Sequence, residues 1–166
     1  MSLFSTLLLS GAIVAAAYPM PAAAQSLAAP DLAFIDEAAK GGMKEVHMGH
    51  MGLQKGMSEG VKGFSQRLVN DHTKANKELA ALAMKKGTSL PADIADAASS
   101  MPISKKSGAD FDREFAKEMV TDHEKAIALF EKQASSGTDA ELKKWAADTL
   151  PTLRAHLKEA QALPRS

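Results

Sequence analysis

The residues of this sequence whose types and spacing could do chemistry are its five histidines: His47, His50, His72, His123 and His156. Neutral imidazole nitrogen binds zinc, copper and iron, so places where several converge read as candidate transition-metal sites. Successive residues of a helix turn by about 100°. By that rule His72 falls in the apolar stripe of Leu68, Ala75 and Leu79. His123 falls with Ala116, Met119, Ile127 and Phe130, and His156 flanks Leu153 and Ala160. Three helices thus each point one imidazole inward. Glu45 shares a stripe with Ala38, Gly42, Gly49 and Gly52, whose small size lets a neighbouring helix approach and draws the carboxyl inward. Asp112 lies on the His123 face. The set Glu45, His72, His123, His156 and Asp112 suits a single zinc, iron or copper ion.

A second group lies on the first helix. Met43, His47, His50 and Met51 are spaced i, i+4, i+7 and i+8 on one broad face. Thioether plus imidazole is a ligand set for Cu(I) or Ag(I). Each group has a plainer reading. Inward histidines beside a carboxyl can serve only as a polar network that fixes helix register. Methionines fill irregular interfaces beside glycines. A carboxylate-bridged di-iron centre is argued against, because such bundles use Glu-x-x-His on two helices. The residues three before His72, His123 and His156 are Val69, Val120 and Leu153. No phosphate loop, nucleotide fingerprint or serine-nucleophile motif occurs, so no catalytic residue and no organic cofactor is assigned.

The elements that position these residues are helical. The pattern from Asp31, expected as an N-cap, runs to about Gly56. Ser58 caps a second helix that Gly87 ends. A segment of about twenty residues follows, with Pro91 and Pro102 and an expected helical turn near Ala92–Ala98. Asp110 opens a third helix that Ser135, Ser136 and Gly137 break. A fourth runs from about Asp139 to Ala162, with Pro151 inside it removing one backbone donor. Two short loops, one long connection between helices 2 and 3, and four long amphipathic helices describe an all-α, ferritin-like four-helix bundle. The segments Val69–Ala75 and Val120–Ala126 both read V-x-D-H-x-K-A.

Composition bounds the rest. The 166 residues carry 20 Lys+Arg against 20 Asp+Glu, which gives no basic surface for a nucleic acid. There is no Cys, which excludes disulfides, thiolate metal sites and cysteine nucleophiles. Aromatics at 5% argue against a sheet protein. Leu3–Ala17 is an apolar run too short for a membrane span of about 20 residues. Pro19, Pro21 and the small residues Ala22–Ala24 follow, so residues 1–24 read as a signal peptide cleaved after Ala24. Residues 25–30 then form a flexible lead-in, and 31–163 the bundle. The mature chain is expected in the periplasm or outside the cell, with no integral membrane segment. Membrane-peripheral or homo-oligomeric association is left open.

The stretches Phe34–Glu45, Val61–Phe64, Asp71–Asn76, Gly87–Pro91, Phe111-Asp112, Asp122-His123 and Leu150–Leu157 together resemble the bacterial "domain of unknown function 4142" family. The resemblance spans about residues 31–163. It implies an exported protein with a ferritin-like helical bundle, and it implies no particular reaction. The resulting expectation is a non-enzymatic binding or stress-related protein with one metal site in its core. Its rivals are a structural module whose histidines only stabilise the core, and a Cu(I)- or Ag(I)-binding protein that uses the helix 1 face.

Overall fold

The computed structural model describes residues 27–92 and 101–163. The expected signal peptide lies outside the described residues, as does the expected helical turn near Ala92–Ala98 from residue 93 onward. Four helices make the fold: α1 (Ala29–Lys55), α2 (Glu59–Lys85), α3 (Gly108–Ser136) and α4 (Ala140–Ala162). A short 3-10 turn, Pro102–Lys105, precedes α3. The helix ends have local causes. Ser58 Oγ accepts from Val61 N at 3.2 Å and caps α2. Asp139 caps α4 by accepting from Glu141 N at 3.1 Å and Leu142 N at 2.9 Å. Gly87, at φ 75°, closes α2 in the left-handed region that glycine enters without steric cost. α4 runs on through Pro151.

Two expectations about α1 are corrected. Its N-cap is Ala28, and Pro30 occupies the first turn, where a missing N–H breaks no hydrogen bond. Ala29 and Pro30 are therefore helical, and Leu27 packs on the core. Asp31 does not cap its own helix. It is buried and serves the far loop instead.

The helix directions follow from contacts at the two ends. Asp31 of α1 meets Gln133 of α3, while a Cβ on Gly52 would come within 3.2 Å of the Phe115 ring, so α1 and α3 are antiparallel. Arg67–Glu159 and Lys85–Glu141 ion pairs make α2 and α4 antiparallel. The order is up, down, down, up, so α2 and α3 run parallel, as in ferritin-like folds with one long connection.

The loops between paired helices are held by a reciprocal arrangement. Asp31, in the first turn of α1, accepts from Gln133 Nε2 (2.7 Å), from Thr138 N and Oγ1, and from Asp139 N (3.0 Å) in the α3–α4 loop. Asp112, in the first turn of α3, accepts from Met57 N (2.9 Å) and Ser58 N (2.8 Å) in the α1–α2 loop. One sequence offset relates Asp31 to Asp112, Phe34 to Phe115, Gly56 to Gly137 and Ser58 to Asp139. The molecule is thus a pair of matching hairpins, each pinning the other's loop.

The interior has two apolar clusters. One gathers Met48, Phe64, Leu68, Phe111, Phe115 and Met119 toward the α1–α2 loop. The other gathers Phe34, Ile35, Leu79, Phe130, Leu142 and Leu153 toward the α3–α4 loop. Between them every helix contributes one buried polar side chain: Glu45, His72, His123 and His156.

Candidate metal centre

His72, His123 and His156 come together at mid-bundle, each offering a ring nitrogen within 4.8 Å of the other two. Their ring centroids form a near-equilateral triangle, with separations of 5.7 Å (72–123), 5.3 Å (72–156) and 5.3 Å (123–156). Phe64 lies against two of them, 6.3 Å from the His123 ring and 5.9 Å from the His156 ring.

The outer hydrogen bonds fix which nitrogens carry protons. His123 Nδ1 lies 2.8 Å from the Met119 carbonyl oxygen, which can only accept, so Nδ1 donates and Nε2 keeps a lone pair. His156 Nε2 donates to the Asp71 carboxylate at 2.9 Å, and in the neutral ring this leaves a lone pair on Nδ1. Those two bare nitrogens face each other at 3.4 Å. With both rings neutral no proton lies between them, and only a shared proton or a cation makes the contact favourable. His72 Nε2 is buried with no hydrogen-bond partner. Lone pairs directed inward and N–H groups anchored outward are the arrangement that orients histidine as a metal ligand. The residues present therefore fit a metal ion.

Burial disfavours the charged forms of two of the three imidazoles. It holds His72 down to about 3, with repulsion from His123 and His156 adding to it. It holds His123 down to about 4. It also pushes Glu45 up to about 8, reinforced by Asp122 and opposed by Lys44.

The other sequence-predicted site residues divide. Glu45 is buried, as expected. Gly42, Gly49 and Gly52 let α1 lie close on α2, where a Cβ on Gly49 would come 2.9 Å from the Ser65 carbonyl oxygen. Yet Glu45 Oε1 stands 4.0 Å from His123 Nδ1, the nitrogen turned away from the other rings, so Glu45 backs the cluster rather than joining it. Asp112 is not at the centre; it is committed to the backbone of Met57 and Ser58. Met43, His47 and His50 line one open surface hollow with Thr73, Asn76 and Lys77. Met51 does not join them: it lies about 100° round the helix from His50 and is buried in the core with Phe64 and Phe115. Asp71 was missed. Its signal was the repeated V-x-D-H-x-K-A segment, in which the aspartate precedes each inward histidine. Asp71 holds His156, and Asp122 pairs with Lys44 at 2.5 Å beside Glu45.

A cavity of about 250 Å³ adjoins the centre, walled by all four helices and including Glu45, His72 and His123. No helix among the described residues is long and apolar enough to cross a membrane.

Fold and site together define a four-helix bundle with a buried three-histidine centre. The chain belongs to the family described as a domain of unknown function, DUF4142, whose sequence pattern it matches over residues 16–163. No curated protein matches it significantly. Its solved structural relatives include a DUF305 fragment from Deinococcus radiodurans, at TM-score 0.70 and 13% identity, covering 82% of this chain and 96% of that one. CopM in its Cu(I)-bound form matches at TM-score 0.67 and 21% identity, covering 80% and 93%. CopM in a silver-bound form obtained by soaking matches at 0.66 and 22%, covering 80% and 92%. At these identities the likeness carries the fold.

Proposed function

We propose that this protein is an exported, non-enzymatic metal-binding protein that holds one transition-metal ion between His72, His123 and His156, and that the ion is Cu(I). The observation that carries the reading is the 3.4 Å approach of His123 Nε2 to His156 Nδ1, with a ring nitrogen of His72 within 4.8 Å of the other two rings and the Nε2 of His72 buried without a partner. When bound, the ion would accept the lone pairs of these nitrogens and supply the positive charge that offsets their mutual repulsion. Cu(I) is preferred to a divalent ion for two reasons. The ligands are imidazoles, which bring no negative charge to offset the ion, and the cost of burying an ion rises with the square of its charge. Imidazole also suits copper, and the relatives CopM in Cu(I)- and silver-bound forms support that choice. Export with cleavage after Ala24 belongs to the same reading.

The chain's own residues have separate tasks. Asp71 and the Met119 carbonyl hold the His156 and His123 rings in their ligating tautomers. Phe64 keeps water from one side of the cluster. Glu45 can lose its proton when a cation arrives next to His123, which leaves the site nearer neutrality.

A second reading places Cu(I) or Ag(I) on the surface at Met43, His47 and His50, and the shared hollow of those side chains favours it. One experiment separates the readings. The untagged protein is purified from the periplasm, its first residue read as Gln25 by intact mass, stripped with chelator and titrated with Cu(I) against a competing chromogenic ligand. The core reading expects one equivalent, kept in Met43→Leu/His47→Ala/His50→Ala and weakened at least tenfold in His72→Leu. The reverse pattern moves the site to helix 1. Wild-type protein that takes up no Cu(I), Zn(II) or Fe(II) leaves the histidines as core architecture only.

A further inference from the structure

We propose that the cavity beside the histidines is a binding site for a small neutral molecule with an aromatic-sized apolar body and one hydroxyl group, anchored on Glu45. This goes beyond metal binding and does not depend on it.

The cavity measures about 250 Å³. An apolar protein cavity of about 150 Å³ stays dry and takes up benzene, so this one has room for a substituted ring. Its wall is mostly apolar, with Ala38, Ala126, Leu129 and Leu153 along the sides. Phe130 and Trp145 close one region, their ring centroids 5.4 Å apart and tilted by 45°. At the other end Glu45 lines the space. Its residue is 6% exposed, and its Oε2 has no hydrogen-bond partner. A buried carboxyl oxygen left unpaired costs free energy that a ligand's polar group recovers. Asn76 adds an amide to the same wall. Lys44 and Asp122, paired at 2.5 Å between α1 and α3, are also lining residues and carry charge toward the solvent side.

The chemical class follows from the anchor. A hydroxyl donates to a carboxylate and accepts from a carboxylic acid, so it satisfies Glu45 in either charge state. An ammonium group would bring a cation into a space already bordered by Lys44 and would have to be stripped of water at the buried end, where Glu45 is its acidic neighbour, since Asp122 is paired with Lys44 and Glu37 is exposed. A ligand without a polar group would fill the volume and leave the Glu45 carboxyl unpaired.

Trp145, the chain's single tryptophan, lines the cavity and reports directly on occupancy. Metal-free full-length protein is titrated with phenol, benzene and benzylamine. Trp145 emission, excited where the probes do not absorb, and calorimetric heat are followed together. The expected result is saturable 1:1 binding of phenol, at least tenfold tighter than benzene or benzylamine. Ala126→Leu, which fills the space, removes the response while its melting curve stays cooperative; Ala38→Val serves the same purpose if that variant does not fold. Glu45→Leu weakens phenol at least tenfold and spares benzene. The proposal is overturned by phenol binding that is absent or unsaturable, by binding that survives filling of the cavity, or by preference for benzylamine. Because the protein is metal-free throughout, failure here leaves the histidine centre untouched. Failure of Cu(I) uptake likewise leaves this cavity untouched.

Discussion

His72 and His123 stay neutral in the folded chain down to about pH 3 and 4, because burial penalises their charged forms, while the same side chains in the unfolded chain take up protons near pH 6.5. Below pH 6.5 the unfolded state therefore binds more protons than the native state, and stability falls as pH falls. Each histidine costs about 1.4 kcal/mol per pH unit in that range. Glu45 acts in the opposite sense. Its folded value is raised to about 8 from 4.5, so its contribution is complete below pH 4.5 and is lost as pH rises toward 8. Between 4.5 and 6.5 two histidines outweigh one carboxyl; above 6.5 only Glu45 acts. The metal-free protein is expected to be most stable near pH 6.5, falling on both sides. Urea denaturation at pH 5, 6.5 and 8 measures this. Glu45→Gln should flatten the alkaline side and leave the acid side in place; an unchanged alkaline slope would reject the assignment to Glu45. The inward histidines were legible because each sits at helical spacing within an apolar stripe. Asp71 was not, because a residue half open to solvent gives no periodic signal, and its role depends on which ring it meets on α4.

The close contact of α1 with α2 decides how near Glu45 lies to His123. A Cβ at Gly49 would meet Val69 Cγ2 at 2.8 Å and the Ser65 carbonyl oxygen at 2.9 Å, and the backbone atom cannot move aside cheaply. At Gly41, by contrast, a Cβ would meet nothing within 4 Å. Gly49→Ala is expected to destabilise by about 1–3 kcal/mol through overpacking. Gly41→Ala should stabilise by up to about 1 kcal/mol through helix propensity alone. Thermal melts of the two variants check the pair, and equal effects of one sign would refute this account of the helix contact. The helices themselves were readable from periodicity, and Ser58, Gly87 and Asp139 act at the ends where their chemistry placed them. Met51 and Asp31 were misread for a shared reason. A helical wheel gives an angle but not the position of the neighbouring helix, and Met51 lies at the margin where the surface hollow gives way to the core. Asp31 has the side chain of an N-cap, but Pro30 before it already starts the helix, which frees the carboxylate for another loop.

At the scale of the whole molecule, the two hairpins are joined at both ends by buried aspartates, and this reciprocal pinning fixes their relative depth. It places His72 near the level of His123 and His156, because the three lie about 20 to 24 Å along their helices from an end that an aspartate has pinned. The repeat that underlies it was invisible in sequence: few identities survive at the shared offset, and a buried carboxylate accepting from a distant loop has no local signature. The more obvious V-x-D-H-x-K-A repeat relates α2 to α3 instead, two parallel helices that bring their histidines to one level. Asp31→Ala leaves the buried Gln133 amide without its acceptor, while water can reach the exposed Thr138 and half-buried Asp139, and should cost about 1–3 kcal/mol. Asp112→Ala leaves two backbone donors at a half-buried loop and should cost about 1–3 kcal/mol. The two sites lie at opposite ends of helices about 40 Å long, so the double variant should equal the sum within about 0.5 kcal/mol in urea denaturation. Hydrogen exchange should localise the damage across the hairpins: Asp31→Ala loosens the α3–α4 loop, and Asp112→Ala loosens the α1–α2 loop. Loosening confined to the mutated helix's own hairpin would mean that the aspartates do not join the hairpins, and that helix packing alone sets the level of the histidines.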